Sequence, residues 1–267
     1  MKQATVAAAI RAALLTAQPG AKVMAARSAA RDWRLGRLAF AFDVAMPDRP
    51  ARPALPELLP PNRMPKRGRG LSENGRIALW HALAHIEFSA IDLALDAAGR
   101  FGGELGVDFT GDFLAVAADE AMHFALLDRR LRALGSSYGA LAAHDGLWDA
   151  AHDTRHDAAA RLAIVPMVLE ARGLDVTPIM LERLRGQGDA TGVRLLERIL
   201  DDEIRHVRIG TKHFIAHCEG RGESPETYWK SLVKRHFRGS LKPPFNDSAR
   251  LAAGLSRSFY AGIALVT

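Results

Sequence analysis

Cysteine is almost missing from this 267-residue chain, and Cys218 is the only one. A single thiol excludes an intramolecular disulfide, argues against a rubredoxin-type iron centre, and suits a reducing cytoplasm. Long hydrophobic runs are missing as well. No apolar run reaches about 18 residues, so no membrane span is expected. Arg11 and Gln18 interrupt the N-terminal apolar stretch, which therefore makes no convincing signal peptide. No segment has persuasive strand character. What remains is an ordinary globular composition, 48% hydrophobic and 25% charged, on a chain long enough to bury a substantial core.

Acidic residues are scarce at one end. Residues 1–70 hold 13 Lys and Arg against 4 Asp and Glu, whereas the rest holds 23 against 26. A basic arm on a mildly acidic body can touch nucleic acid or an anionic substrate. The favoured reading is simpler: the arm packs on the acidic body of its own chain or of a neighbour, the latter making a homo-dimer. RNA is the less favoured partner.

Helical periodicity predicts short helices over 4–17 and 25–38. The Pro-rich segment 47–66 is expected to run extended over the surface, with Leu55, Leu58, Leu59 and Met64 to bury. A long helix is expected from Ser72 or Asn74 to about Ala98, stopped by Gly99 and Gly102-Gly103. A second runs from about Gly111 to Leu134, before Gly135. Residues 136–150 form a loop or short helix, a plausible crossover. A third helix covers about 152–172, and Thr177-Pro178 starts a short one reaching Arg185. Asp189 opens a fourth long helix to about Cys218. Ser224-Pro225-Glu226 starts another, and a last helix covers 247–261. The expected fold is all-α. Three domains follow: an arm over 1–70, a helical bundle over 71–220 and a C-terminal helical extension over 221–267.

One pattern occurs twice. Glu87 is followed 33 positions later by Glu120-Ala-Met-His123, and Glu170 is followed 33 positions later by Glu203-Ile-Arg-His206. Four carboxylates and two imidazoles so arranged form the ligand set with which a four-helix bundle holds two iron or manganese ions. Glu-x-x-His alone is weak, since 12 Glu and 10 His in 267 residues make about half an occurrence a matter of chance. The placement of the carboxylates is stronger. Leu83, Ala84, Ile91 and Ala94 surround Glu87 at helical spacings. Phe113, Val116, Ala117, Phe124 and Leu127 do so for Glu120. Ala163, Met167 and Leu174 flank Glu170, and Leu196, Ile199, Leu200 and Val207 flank Glu203. Carboxylates on apolar faces need compensating charge, and two divalent cations would balance four of them. Asp119 and Asp202 each lie four residues before the His of their motif. Each is placed to accept a hydrogen bond from the imidazole nitrogen that does not bind metal.

Asp-Glu-x-x-His twice, each preceded by a lone helical Glu, resembles the ferritin-like superfamily of di-iron carboxylate proteins. Asp201-Asp202-Glu203-Ile204-Arg205-His206 is similar to the fourth-helix motif of bacterial hydrocarbon monooxygenases. Residues 81–93 (HALAHIEFSAIDL), 168–178 (VLEARGLDVTP) and 243–254 (PPFNDSARLAAG) resemble the bacterial family called domain of unknown function 455. The superfamily also contains the non-haem di-iron tRNA hydroxylases. The resemblance implies a ferritin-like four-helix bundle with a long crossover. It makes Glu87 and His123 terminal ligands of one metal, Glu170 and His206 those of the other, and Glu120 and Glu203 bridges. Iron is the implied metal, with a manganese–iron pair as the variant. The implied activity is an O2-activating oxidase or hydroxylase on a small organic substrate, with a reductase as electron donor. Iron handling or peroxide scavenging is one alternative, and tRNA hydroxylation is the other.

Other residues carry less. His213 and His217 follow His206 at ~10 and ~16 Å along a helix, too far to join the cluster. His152 and His156 are expected to be exposed, and His81 and His85 sit off the face of Glu87. Arg172 either pairs with a carboxylate or takes part in a structural salt bridge. Tyr138, Tyr228 and Tyr260 are the only tyrosines, none within a helical turn of a candidate ligand, which gives no support for a radical-generating role.

Overall fold

The computed structural model describes residues 3–65 and 72–262. The expected boundary at 70/71 falls outside them. The described residues are helical, with two isolated bridges (Thr5 to Ala39, Leu58 to Ala143) and no strand. The chain divides into two compact units, Met1–His152 and Asp153–Thr267.

The first unit opens with α1 (Val6–Leu14) and α2 (Pro19–Arg34), both packed on the long α3 (Glu73–Ala133). Thr5 caps α1, its hydroxyl accepting the Ala8 N–H at 3.2 Å. Pro19 at the first position lets α2 start earlier than its periodicity suggested, because proline lacks only an N–H that a helix start leaves unused. α3 is long and apolar enough to cross a membrane by length and composition alone. Its apolar window is 67% buried inside the protein, so core packing accounts for the apolarity.

α3 breaks at Gly106, where φ is 94° and ψ −178°, a conformation open to glycine alone. The expected stop at Gly99 or Gly102-Gly103 is therefore a correction. Those glycines stay helical and serve close packing instead. A Cβ at Gly99 would strike Met46 and Ile10, and one at Gly102 would strike Thr110 and Phe42. Glycine in a helix has two uses, and sequence alone does not separate them.

The Pro-rich segment runs extended, as expected, up to a 3-10 turn at Pro61–Arg63, but of its four expected anchors Leu59 and Met64 are only half-buried. Leu55 and Leu58 are 61% and 38% exposed, while Pro50 and Pro56 are buried. Backbone bonds hold the segment, Leu59 N–H to Ala143 O at 2.8 Å and Ala143 N–H to Glu57 O at 2.9 Å. Basic residues hold it as well. Arg49 meets Asp145 and Asp149, and Arg52 meets Asp92 and Asp145. Lys22 of α2 is fully buried against Asp92. Part of the arm's positive charge is thus consumed by acids of its own chain. α4 (Gly146–Asp153) follows the 134–145 loop.

The second unit contains α5 (Ala158–Ile164), a π-helical turn (Val165–Glu170), α6 (Ala171–Gly186), α7 (Ala190–Glu219), α8 (Pro225–His236), α9 (Asp247–Ala252) and α10 (Arg257–Tyr260). Asp157, Asp189 and Ser224 cap α5, α7 and α8 through side-chain oxygens, and the last two starts lie where the sequence placed them. The third helix differs. It neither begins at 152 nor stops at Gly173, and it continues through Pro178. Pro178 cannot donate to the Leu174 carbonyl four residues back, and the Asn246 amide donates to that carbonyl instead, at 3.1 Å. The expected helix start at Thr177-Pro178 fails because a distant residue repairs the defect. The last expected helix is broken at Gly254 (φ 77°) into α9 and α10.

Candidate metal centre

In the first unit, Glu87 on the outgoing arm of α3 and His123 on the returning arm are 36 residues apart. On a straight helix that is ~54 Å; in the structure His123 Nδ1 lies 3.2 Å from Glu87 Oε2. The break at Gly106 makes this a hairpin, because the two residues lie 19 positions before it and 17 after it. Glu120 is one turn before His123, and its Oε2 is 3.4 Å from the same Nδ1. One ligand atom from each of Glu87, Glu120 and His123 lies within 4.8 Å of the others. All three are buried, at 6%, 1% and 0% exposure.

The electrostatics follow from that burial. Glu87 is pushed well above the usual carboxylate range, first by loss of water and then by the charge of Glu120. Burial opposes charging His123. Hydrogen bonds to Glu120 and Glu87 outweigh it and push the imidazole pKa up to about 11. Two buried carboxylates demand positive charge here, and a divalent cation meets that demand in full. Two hard oxygen donors with one imidazole nitrogen suit iron, manganese or zinc. The donor set fits a metal ion.

The second unit repeats the hairpin. α6 and α7 are joined by a short turn at Gln187–Asp189. Pro166 of the π-helical turn packs so closely on Gly210 of α7 that a Cβ there would collide with its ring. Glu170 lies four residues beyond Pro166, and His206 four residues before Gly210. The antiparallel register therefore sets Glu170 level with His206, as Glu87 is level with His123. Glu203 Oε1 lies 3.5 Å from His206 Nδ1. His206 is buried; Glu170 and Glu203 are half-buried. Pro166 forces the widened turn by removing an N–H from the helix, and Glu170 closes it. The observed irregularity is the turn that ends on Glu170, not a break at Gly173 or Pro178.

The family model described as "protein of unknown function (DUF455)" matches residues 15–261. The chain belongs to the DUF455 family. An "uncharacterized protein" of Haemophilus influenzae is 42% identical over 214 residues, covering 78% of this chain and 74% of that protein. No solved structure matches. The DUF455 span contains both Glu and Glu-x-x-His sets.

Asp119 is half-buried one turn before His123. Asp202 accepts from Arg198 at 2.8 Å and Arg205 at 2.9 Å, partners not foreseen from sequence. Arg172 donates to the Lys242 and Pro244 carbonyls at 2.7 and 3.1 Å and lies 3.5 Å from Asp175, which is the structural role. Asp175 went unnoticed in the sequence. It is buried and grips Arg250 through two bonds of 2.8 and 2.7 Å, so the stretches 168–178 and 243–254, both quoted for the family likeness, clasp each other. His156 is exposed as expected, whereas His152 is half-buried.

Proposed function

We propose that this is a ferritin-like di-metal protein, with iron as the metal, acting as an O2-dependent oxidase or hydroxylase on a small organic substrate. Glu87, Glu120, His123, Glu170, Glu203 and His206 are the ligands in this reading. The observation that carries it is the buried triad of Glu87, Glu120 and His123, with the same hairpin register repeated for Glu170, Glu203 and His206. The two hairpins would be the four helices of the bundle within 71–220. Asp119 and Asp202 would orient the imidazoles.

Two iron ions would supply the binding and reduction of O2 when bound. The chain's own residues hold and shield. Phe88 and Phe124, sequence neighbours of Glu87 and His123, pack with ring centroids 5.1 Å apart, and both are buried. They exclude water on that side. The RNA reading loses ground, because Lys22, Arg49 and Arg52 are engaged with acids of the same chain.

Anaerobic reconstitution followed by metal analysis and O2 uptake tests the proposal. Two iron ions per chain and rapid O2 consumption by the reduced form are expected. Glu120→Ala should bind at most one ion and consume O2 at least ~100-fold more slowly, the loss typical of a disrupted metal site. A protein that binds no metal, or whose reduced iron form ignores O2, rules this reading out. Iron uptake far beyond two ions per chain would favour iron handling instead.

A further inference from the structure

Two imidazoles, His81 and His85, fasten the 134–145 loop to the first arm of α3, a third, His144, braces the end of that loop, and their hydrogen bonds fix their tautomers. His81 Nε2 accepts the backbone N–H of Gly139 at 3.0 Å and of Leu141 at 3.4 Å. An amide can only donate, so Nε2 carries the lone pair and Nδ1 the hydrogen. His144 Nδ1 accepts the Gly146 N–H at 3.2 Å, which leaves the hydrogen on its Nε2. His85 is used at both ends. Its Nε2 donates to the His144 carbonyl at 3.1 Å, and its Nδ1 accepts from the Tyr138 hydroxyl at 3.0 Å. Burial lowers the pKa of His81, and burial with the nearby Arg52 charge lowers that of His85 to about 4. His81 and His144 each keep one N–H donor for which the described residues supply no acceptor.

Both residues line one cavity of about 690 Å³, together with apolar residues that include Ala78, Ala82, Ile86, Leu141 and Leu147, and with the polar Ser72, Asn74 and His85. That volume falls within the range of small-molecule sites, which combine apolar walls with a few placed polar groups. Ile86 and Leu141 are 43% and 40% exposed, large apolar side chains left open where something could cover them. Among the described residues, no acidic one lines the cavity. Ala78 and Glu87 are nine residues apart, about half a turn out of phase on the helix, so the cavity opens on the face of α3 away from the metal ligand.

We infer that this cavity binds a small molecule with an apolar body and an acceptor oxygen, a carboxylate or a carbonyl, held by His81 Nδ1–H and His144 Nε2–H. The pairing follows from what the described walls offer: two imidazole N–H groups, no carboxylate, and mostly apolar surface around them. It does not depend on the di-metal reading.

Calorimetric titration of the full-length protein with octanoate, 2-octanone and octylamine tests it. These probes share a chain length and differ in the polar end. Saturable binding of octanoate or 2-octanone, with a Kd below about 1 mM, is expected; which one binds tells carboxylate from carbonyl. Octylamine, which offers a cation and no acceptor in its charged form, should bind at least ~10-fold more weakly. Ala82→Phe fills the cavity and should weaken binding by a similar factor, with helix content and metal content unchanged. If that variant does not fold, Ala78→Leu on the same wall gives the same reading. Equal binding of all three probes, binding of none, or binding undisturbed by the filled cavity overturns the inference.

Discussion

A buried carboxylate is tolerated only with a partner, and this chain uses two different ones. Glu87 and Glu120 are compensated by an imidazole and fit a cation. Asp175 is compensated by Arg250, at 0% and 1% side-chain exposure, with the guanidinium lying over Phe245 and Tyr260 at 5.0 and 4.7 Å from the ring centroids. Removing one member of such a pair strands the other. Arg250→Ala should therefore cost about 3–5 kcal/mol in urea unfolding, while a double apolar replacement at 175 and 250 should recover much of that. Equal losses in the single and double variants would count against the pair. His85 gives the pH dependence. Its folded pKa of about 4 lies below the ordinary 6.5, so the unfolded chain binds the proton more readily. Its contribution is complete above about pH 6.5 and is lost as pH falls toward 4, by up to about 3 kcal/mol. In His85→Gln the fall in stability between pH 6.5 and 4.5 should be shallower than in the parent, measured by denaturant midpoint.

Helix ends were the least legible part of the sequence, and glycine shows why. Gly99, Gly102, Gly103 and Gly106 look alike as letters. Only Gly106 turns the chain, because the other three lie under Met46, Ile10, Phe42 and the nearby Thr110, and the first three of these are far away in the chain. Gly106→Ala should cost about 1–3 kcal/mol through its positive φ and disturb the level of Glu87 against Glu120 and His123. Metal affinity should fall with stability. Gly210→Ala separates the two effects, since Gly210 has an ordinary helical conformation but lies under Pro166. A Cβ there pushes α7 from the π-helical turn, and weaker metal binding with a modest change in thermal midpoint is expected. Metal titration of both variants checks this. The cluster of Glu87, Glu120 and His123 was legible, because helical spacing on apolar faces fixes which carboxylates share a core. The π-helical turn was not, because the third helix was expected to run unbroken through Pro166, and the glycine that accommodates its ring, Gly210, lies 44 residues away.

At the scale of the whole chain, the basic N-terminal region is part of the first unit's core. Val6, Ala7, Ile10, Ala13 and Leu14 of α1 are at 0% exposure, and the helix packs on α3 together with α2. Lys22 and Asp92 meet where neither touches solvent. Burial pulls the lysine pKa down and pushes the aspartate up, and their opposite charges resist both shifts. Excess positive charge over 1–70 was visible in the sequence, but which acids would absorb it depended on pairings 70 and 93 residues apart, Lys22 with Asp92 and Arg52 with Asp145. A chain lacking residues 1–46 would leave Asp92 with Arg52 alone and bare the apolar face of α3. It should lose cooperative unfolding, and Lys22→Met alone should cost about 1–3 kcal/mol, because Asp92 loses a buried partner and keeps only Arg52. Loss of any RNA binding in the truncated protein would then report unfolding, so Lys22→Met and exposed-arginine variants such as Arg34→Ala make the cleaner comparison. Thermal melts decide the matter: a truncated chain that melts as sharply and as high as the full chain would make the arm a detachable appendage, and its charge would again need a partner outside the molecule.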